Sequence, residues 1–274
     1  MPDTPIECHP LDEATRLAPG PGGRLTGRTS PAYWNMTSPF GGMTAGLLMR
    51  AVLDHPERKG TPVSQTVNYC APIAEGPFTV DVRVVRSGRS VQHFYVEIGQ
   101  NGTVTTNATI ICAVRSQTWR HQPAVMPQVP PADTLPAGPA AAPVAFIGRY
   151  DFRFLEGEPR FGPPLPEPRS PRSLFWIADR PARPLDFVSL AAFCDIFFPR
   201  VFQVRGYPVP AGTVSMTSYF HASEAELAAQ GDRPLLARAD ALRFGDQFCD
   251  QFGELWSDGG TLLASTSQIG WFRQ

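Results

Sequence analysis

The chain carries the same pattern twice, and that repeat constrains its fold more than any single motif. A largely apolar segment, MTAGLLMRAVLDH (43–55), stops at Pro56; a second, LDFVSLAAFCDIFF (185–198), stops at Pro199. The second is apolar on every side, which marks a buried helix, the first is an apolar segment of similar length, and proline cannot continue a helix. Four extended segments follow each: 62–69, 78–86, 91–99 and 104–114, then 213–221, 234–244, 247–257 and 261–272. Alternation is clear where Val80, Val82 and Val84 share one face and Asp81 and Arg83 the other. Asn101-Gly102 and Asp258-Gly259, both strong hairpin signals, join the last pair in each half. The closing text also corresponds: NGTVTTNATIICAVR (101–115) parallels DGGTLLASTSQIGWFR (258–273). Element order, proline stops and turns together point to a duplication.

A sheet that must bury one face, supplied with one all-apolar helix, wraps that helix in its concavity. This is the hot-dog architecture. Two copies on one chain would pair their sheets edge to edge, an α+β double hot-dog. The expected organisation is a first repeat over residues 1–120, a linker over 121–143 and a second repeat over 144–274. Seven of the 23 linker residues are proline, which predicts an extended stretch. Short extended pieces are expected at Ile6–Leu11, Gly23–Arg28, Tyr33–Met36, Phe146–Phe154 and Ser173–Ala178. A long loop over Pro159–Pro171 and a helical turn over Glu224–Gln230 complete the reading.

Net charge is −1 with acids and bases dispersed, so no basic patch invites nucleic acid. No apolar run is long enough to span a bilayer, and no polybasic segment suggests membrane insertion. MPDTPIECHP lacks a secretory pattern. The five cysteines are scattered, with no C-x-x-C and no zinc spacing. These features predict a cytoplasmic protein with buried thiols and no metal or other cofactor.

One residue breaks the pattern. Asp195 sits among Phe193, Cys194, Ile196, Phe197 and Phe198, where an ionised carboxylate is costly unless paired. It is either an outward-facing acid or a functional carboxylate in a dry cleft. The first helix has no acid within its apolar body. Instead it opens with Gly41-Gly42 and small residues that allow close approach of a backbone or ligand.

The segments FGGMTAGLLMRAV (40–52), GTVSMTSYFH (212–221) and LLASTSQIGWFR (262–273) resemble the double hot-dog, type II acyl-CoA thioesterases. The resemblance runs from about Phe40 to Arg273 outside the proline-rich stretch. It implies that Asp195, Thr213 and Gln268 hold the attacking water. Gly41 and Gly42 would lie against the substrate, with Gln268 or a nearby backbone N–H on the oxyanion. Arg89, with Arg86 and Arg115, could meet the phosphates of CoA. The implied partner is an acyl-CoA, the implied reaction thioester hydrolysis, and the expected assembly a homodimer or higher homo-oligomer. A hot-dog enoyl-CoA hydratase or dehydratase and a non-catalytic acyl-CoA binding protein are the alternatives. The first would want an Asp and a His acting together, a pattern that neither helix carries.

Overall fold

A computed structural model describes residues 8–138, 144–160 and 162–273. In the first half, β1 (Leu25–Arg28), α1 (Gly41–Leu53), β2 (Thr61–Tyr69), β3 (Pro77–Ser87), β4 (Val91–Gln100) and β5 (Thr103–Ala113) follow in turn. The second half holds β6 (Tyr150–Glu156), β7 (Ser173–Asp179), α2 (Phe187–Phe193), α3 (Arg200–Arg205) and β8 (Ala211–Phe220). After these come α4 (Glu224–Gln230), β9 (Leu235–Asp240), β10 (Phe248–Trp256) and β11 (Leu262–Phe272).

These strands form one antiparallel sheet in the order β1-β3-β4-β5-β2-β8-β11-β10-β9-β7-β6. The order β2-β5-β4-β3-β1, read outward from the centre, is repeated as β8-β11-β10-β9-β7. The protein is therefore a double hot-dog, its halves joined edge to edge at β2 and β8. The seam runs from Ser64 opposite Tyr219 to Asn68 opposite Ser215. On it, the hydroxyls of Thr66 and Thr217 lie 3.0 Å apart and Ser215 donates to Asn68 Oδ1 at 3.0 Å. Arg115 crosses the seam, its guanidinium donating to the carbonyls of Pro62, Phe220 and His221. It is a clamp between halves rather than a free cation.

The inner face of the sheet alternates as its side-chain period requires; in β4, Phe94, Val96 and Ile98 are buried. They pack on α1, where Leu47, Leu48, Met49 and Val52 are nearly inaccessible. Burying each such side chain stabilises by about 1.5–3 kcal/mol. The two central helices run antiparallel at backbone contact. A Cβ on Gly46 would stand 3.0 Å from the Val188 carbonyl, and one on Gly42 would collide with the Ala192 carbonyl. Only glycine permits that approach.

Three elements differ from the sequence expectations. The second apolar segment is not one helix over 185–198. α2 covers Phe187–Phe193, and Pro199 caps α3 instead of ending α2. The N-terminal piece contains a helical turn at Pro10–Ala14, started by His9 Nδ1 accepting from Leu11 N; residues 1–7 lie outside the described residues. The stretch at 234–244 leaves the ladder after Asp240 because the Asp250 carboxylate takes the Leu242 and Arg243 N–H groups.

The proline-rich stretch is extended except for a 3₁₀ turn at Ala132–Thr134, and it serves as a cover; residues 139–143 lie outside the described residues. Ala124, Met126 and Val129 pack over Trp176, Leu236 and Trp256 on the outer face of the second sheet. Trp176 Nε1 donates to the Pro130 carbonyl at 2.9 Å, satisfying an indole that the cover buries.

Candidate active site

The site begins with the way α2 ends. The helix starts on a capping box between Asp186 and Ser189. After Phe193 the backbone tightens: Asp195 N bonds to Ala192 O at 3.2 Å and Ile196 N to Phe193 O at 3.1 Å. These i→i−3 bonds are the 3₁₀ tightening common at helix ends. The tightened turn brings Asp195 beside the N-terminus of α1, in the other half of the molecule.

That N-terminus needs a partner. Its N-cap is Phe40, which offers no side-chain acceptor, so the first N–H groups of α1 have no intrahelical bond. The Asp195 carboxylate lies beside the Gly42 N–H, which favours its ionised form. It also occupies the space a side chain at Gly41 would need, since a Cβ there would lie 2.6 Å from Asp195 Oδ2. The helix dipole therefore favours this carboxylate. Its partner is the N-terminus of α1, so the carboxylate faces a site and not open solvent.

Gln268 on β11 donates from Nε2 to Asp195 Oδ1 at 2.9 Å. Thr213 on β8 donates from its hydroxyl to Gln268 Oε1 at 3.1 Å. A hydroxyl can only donate to the amide oxygen, so Thr213 fixes the Gln268 amide with its N–H₂ end toward Asp195. Thr213 reaches inward because of a β-bulge. It pairs with Gly270, on the same face as Gln268, and the register shifts between Thr213 and Ser215. Ser215 can then serve the seam outside while Thr213 serves the site inside.

All three side chains are half-buried. Burial pushes the Asp195 carboxyl up to about 7, against the downward pull of the Gln268 hydrogen bond and the nearby Gly42 N–H. Near neutral pH it thus exists in both protonation states. A cavity of about 40 Å³ adjoins Thr213 and Gln268, with Phe197, Arg200 and Gln251 among its walls. That exceeds the 10–15 Å³ or so that one water needs. Among the described residues no group of three or more His, Cys, Asp or Glu side chains could hold a metal ion.

Of the positions named with Asp195 in the sequence, Thr213, Gln268, Gly41 and Gly42 stand here. Arg89 does not. It is exposed in the turn joining β3 to β4. Val91 and Thr61 both pair with Ala113, which places that turn by the start of β2, whereas Gly41 sits by Tyr69 at its end. The nine residues of β2 separate the two ends by about 27 Å. Sequence reasoning also missed Tyr69, whose hydroxyl donates to the Gly41 carbonyl at 2.9 Å and holds the start of α1. Burial and the neighbouring Asp195 raise that phenol well above its usual range, so it stays a donor. A tyrosine ending an alternating strand gave no signal of this.

Two hot-dog repeats with a single carboxylate at the junction of their helices define a double hot-dog with one candidate site in each chain. Similar solved structures include a hot-dog protein of unknown function from Alicyclobacillus acidocaldarius. It is 39% identical, over 97% of this chain and 99% of that one, with a TM-score of 0.92. A putative thioesterase II from Thermobifida fusca is 21% identical over 98% and 99% of the two chains, with a TM-score of 0.80. An acyl-CoA thioesterase II from Mycobacterium marinum is 21% identical over 96% and 98%, with a TM-score of 0.76. No curated protein sequence matches significantly. Residues 30–113 match the family model for the acyl-CoA thioesterase N-terminal domain, and residues 124–272 that for the C-terminal domain. The chain belongs to the acyl-CoA thioesterase family.

Proposed function

We propose that the protein hydrolyses the thioester of an acyl-CoA to the free acid and CoA. The observation that carries this reading is the hydrogen-bonded chain Thr213–Gln268–Asp195 at the N-terminus of α1. In the proposed reaction Asp195 takes a proton from a water, which attacks the thioester carbonyl carbon. The tetrahedral intermediate collapses by breaking the carbon–sulfur bond, and the proton passes to the departing CoA sulfur. The oxyanion of that intermediate is met by Gly41 N–H at the start of α1, or by the second N–H of Gln268 once it leaves its weak contact with Met216 Sδ at 3.4 Å.

Hydration of an enoyl-CoA has less support, since it calls for a histidine opposite the acid. Among the described residues, His221 ends the strand run that begins near Thr213 and pairs with Ser265, while His55 and His93 lie at the opposite end of the first half. The cytoplasmic setting and the assembly into a homodimer or higher homo-oligomer expected from the sequence remain part of the proposal.

The test is incubation with acyl-CoAs of several chain lengths and detection of free thiol. Thiol release that disappears in folded Asp195→Asn supports the reading. Hydration without thiol, or tight binding without turnover, would replace it with one of the alternatives.

A further inference from the structure

Resting on the thioesterase reading, a second question is where the CoA portion lies. Arg89 and Arg115 are not candidates, one being at the far end of the sheet and the other tied to backbone carbonyls. A groove beside α3 has the required features. It holds about 600 Å³, and Val201 lines both it and the small cavity at Thr213 and Gln268, so the two lie side by side. We propose that this groove receives the pantetheine and nucleotide parts of CoA, with Arg205 and Arg273 meeting the phosphates.

Its chemistry separates it from an acyl tunnel. Val201, Val204, Phe244 and Phe272 give it apolar walls, but Arg205, Gln247 and Arg273 line it too and it opens to solvent. An acyl chain would be better served by an enclosed apolar channel. A pantetheine arm, part apolar and part amide, matches mixed walls. Asp246 is the opposing charge in the lining, so two cations outnumber one anion.

The two arginines are uncommitted. Among the described residues neither forms an ion pair. Arg205 lies over the Tyr207 ring at 5.0 Å from its centroid, and Arg273 over Trp271 at 5.7 Å. Stacking of this kind holds a guanidinium in place while leaving its N–H edges available to phosphate oxygens. By contrast, Arg183 is bound to two carboxylates and Arg200 is buried against Pro171, Phe198, Ser173 and Gln251. Distance also fits. Phe272 pairs with Ala211, two residues from Thr213, and lies four residues from Gln268. The groove therefore begins about 7 Å from one site residue and about 13 Å from the other, a span for a flexible arm between thioester and phosphates.

The experiment compares an acyl-CoA with the same acyl group on N-acetylcysteamine, which lacks the phosphates, in wild type, Arg205→Ala, Arg273→Ala and the double variant. Losing one charged contact is expected to raise KM for the acyl-CoA about tenfold, kcat changing far less. The KM ratio between the two substrates should shift by the same factor, and high salt should diminish the difference. An unchanged ratio in the double variant, or equal losses on both substrates, overturns the proposal. Calorimetry with CoA alone separates it from the hydrolysis reading. CoA binding that the double variant loses supports the groove even if no thioester is cleaved. Undiminished CoA binding in that variant sinks the groove even if hydrolysis is established.

Discussion

Gly41 and Asp195 fit together so closely that a Cβ on the glycine would stand 2.6 Å from the carboxylate Oδ2. They come from opposite halves of the chain, one opening α1 and the other following α2. Gly41→Ala should push the carboxylate from its place. Displacement of a reacting group by about 1 Å costs on the order of 10²-fold in rate. Steady-state kinetics with a thermal melt would check this. Normal kcat in the folded variant would argue against any role for the carboxylate's position.

Burial pushes the Asp195 carboxyl up to about 7. As the base it must be ionised, so kcat/KM should climb as pH rises through about 7 and then level off. Asp195→Asn should lose about 10²–10⁴-fold on the plateau above pH 7, with the gap narrowing at lower pH where the wild-type carboxyl is protonated. A flat wild-type profile between about pH 5 and 9 would contradict the assignment.

In the proposed reaction Thr213 acts through Gln268, because its hydroxyl donates to the amide oxygen. Thr213→Val leaves that oxygen without a donor and should lower kcat about tenfold, while Gln268→Ala should cost about 10²-fold. The double variant is expected to resemble Gln268→Ala, since a residue that acts through another adds nothing once the other is gone. Multiplied losses would mean that Thr213 touches the water or substrate independently.

Asp179 offers a stability test away from the site. It is buried, its Oδ1 has no hydrogen-bond partner among the described residues, and burial pushes its carboxyl up to about 7. The folded value exceeds the unfolded one, so ionisation costs the folded state. Stability is fully present below the unfolded value near 3.8 and falls as pH rises through about 7. Asp179→Asn should therefore shrink the stability difference between pH 5 and pH 8 by roughly 2 kcal/mol. Urea unfolding at the two pH values measures it, and an undiminished difference would place the cost elsewhere.

Much of the fold was legible because it depends on local pattern. The four strands after each helix follow from alternation and from Asn-Gly and Asp-Gly turns, and α1 follows from a proline stop. The second helix was overextended for a physical reason. Phe193–Phe198 is apolar because it is buried, and burial says nothing about backbone dihedrals, so a dry turn reads like a dry helix. In the site, the residue types at 195, 213 and 268 could be picked out in order. What makes the Asp195 carboxylate tolerable could not, because its partner is the start of a helix about 150 residues away. Arg89 illustrates the same gap: a turn cation can be recognised, but not the end of the sheet it occupies.

At the opposite end of the helix pair, Arg183 and Arg50 are held between Asp12 and Asp186. Two identical subunits related by symmetry would have to place the same groups at both junctions, and any change would strike twice. A duplicated gene in one reading frame escapes that rule. One junction could become acidic and receptive while the other was closed by ion pairs, each selected without the other. The resulting molecule should take up one substrate per polypeptide, and its inert junction is free to drift toward stability alone.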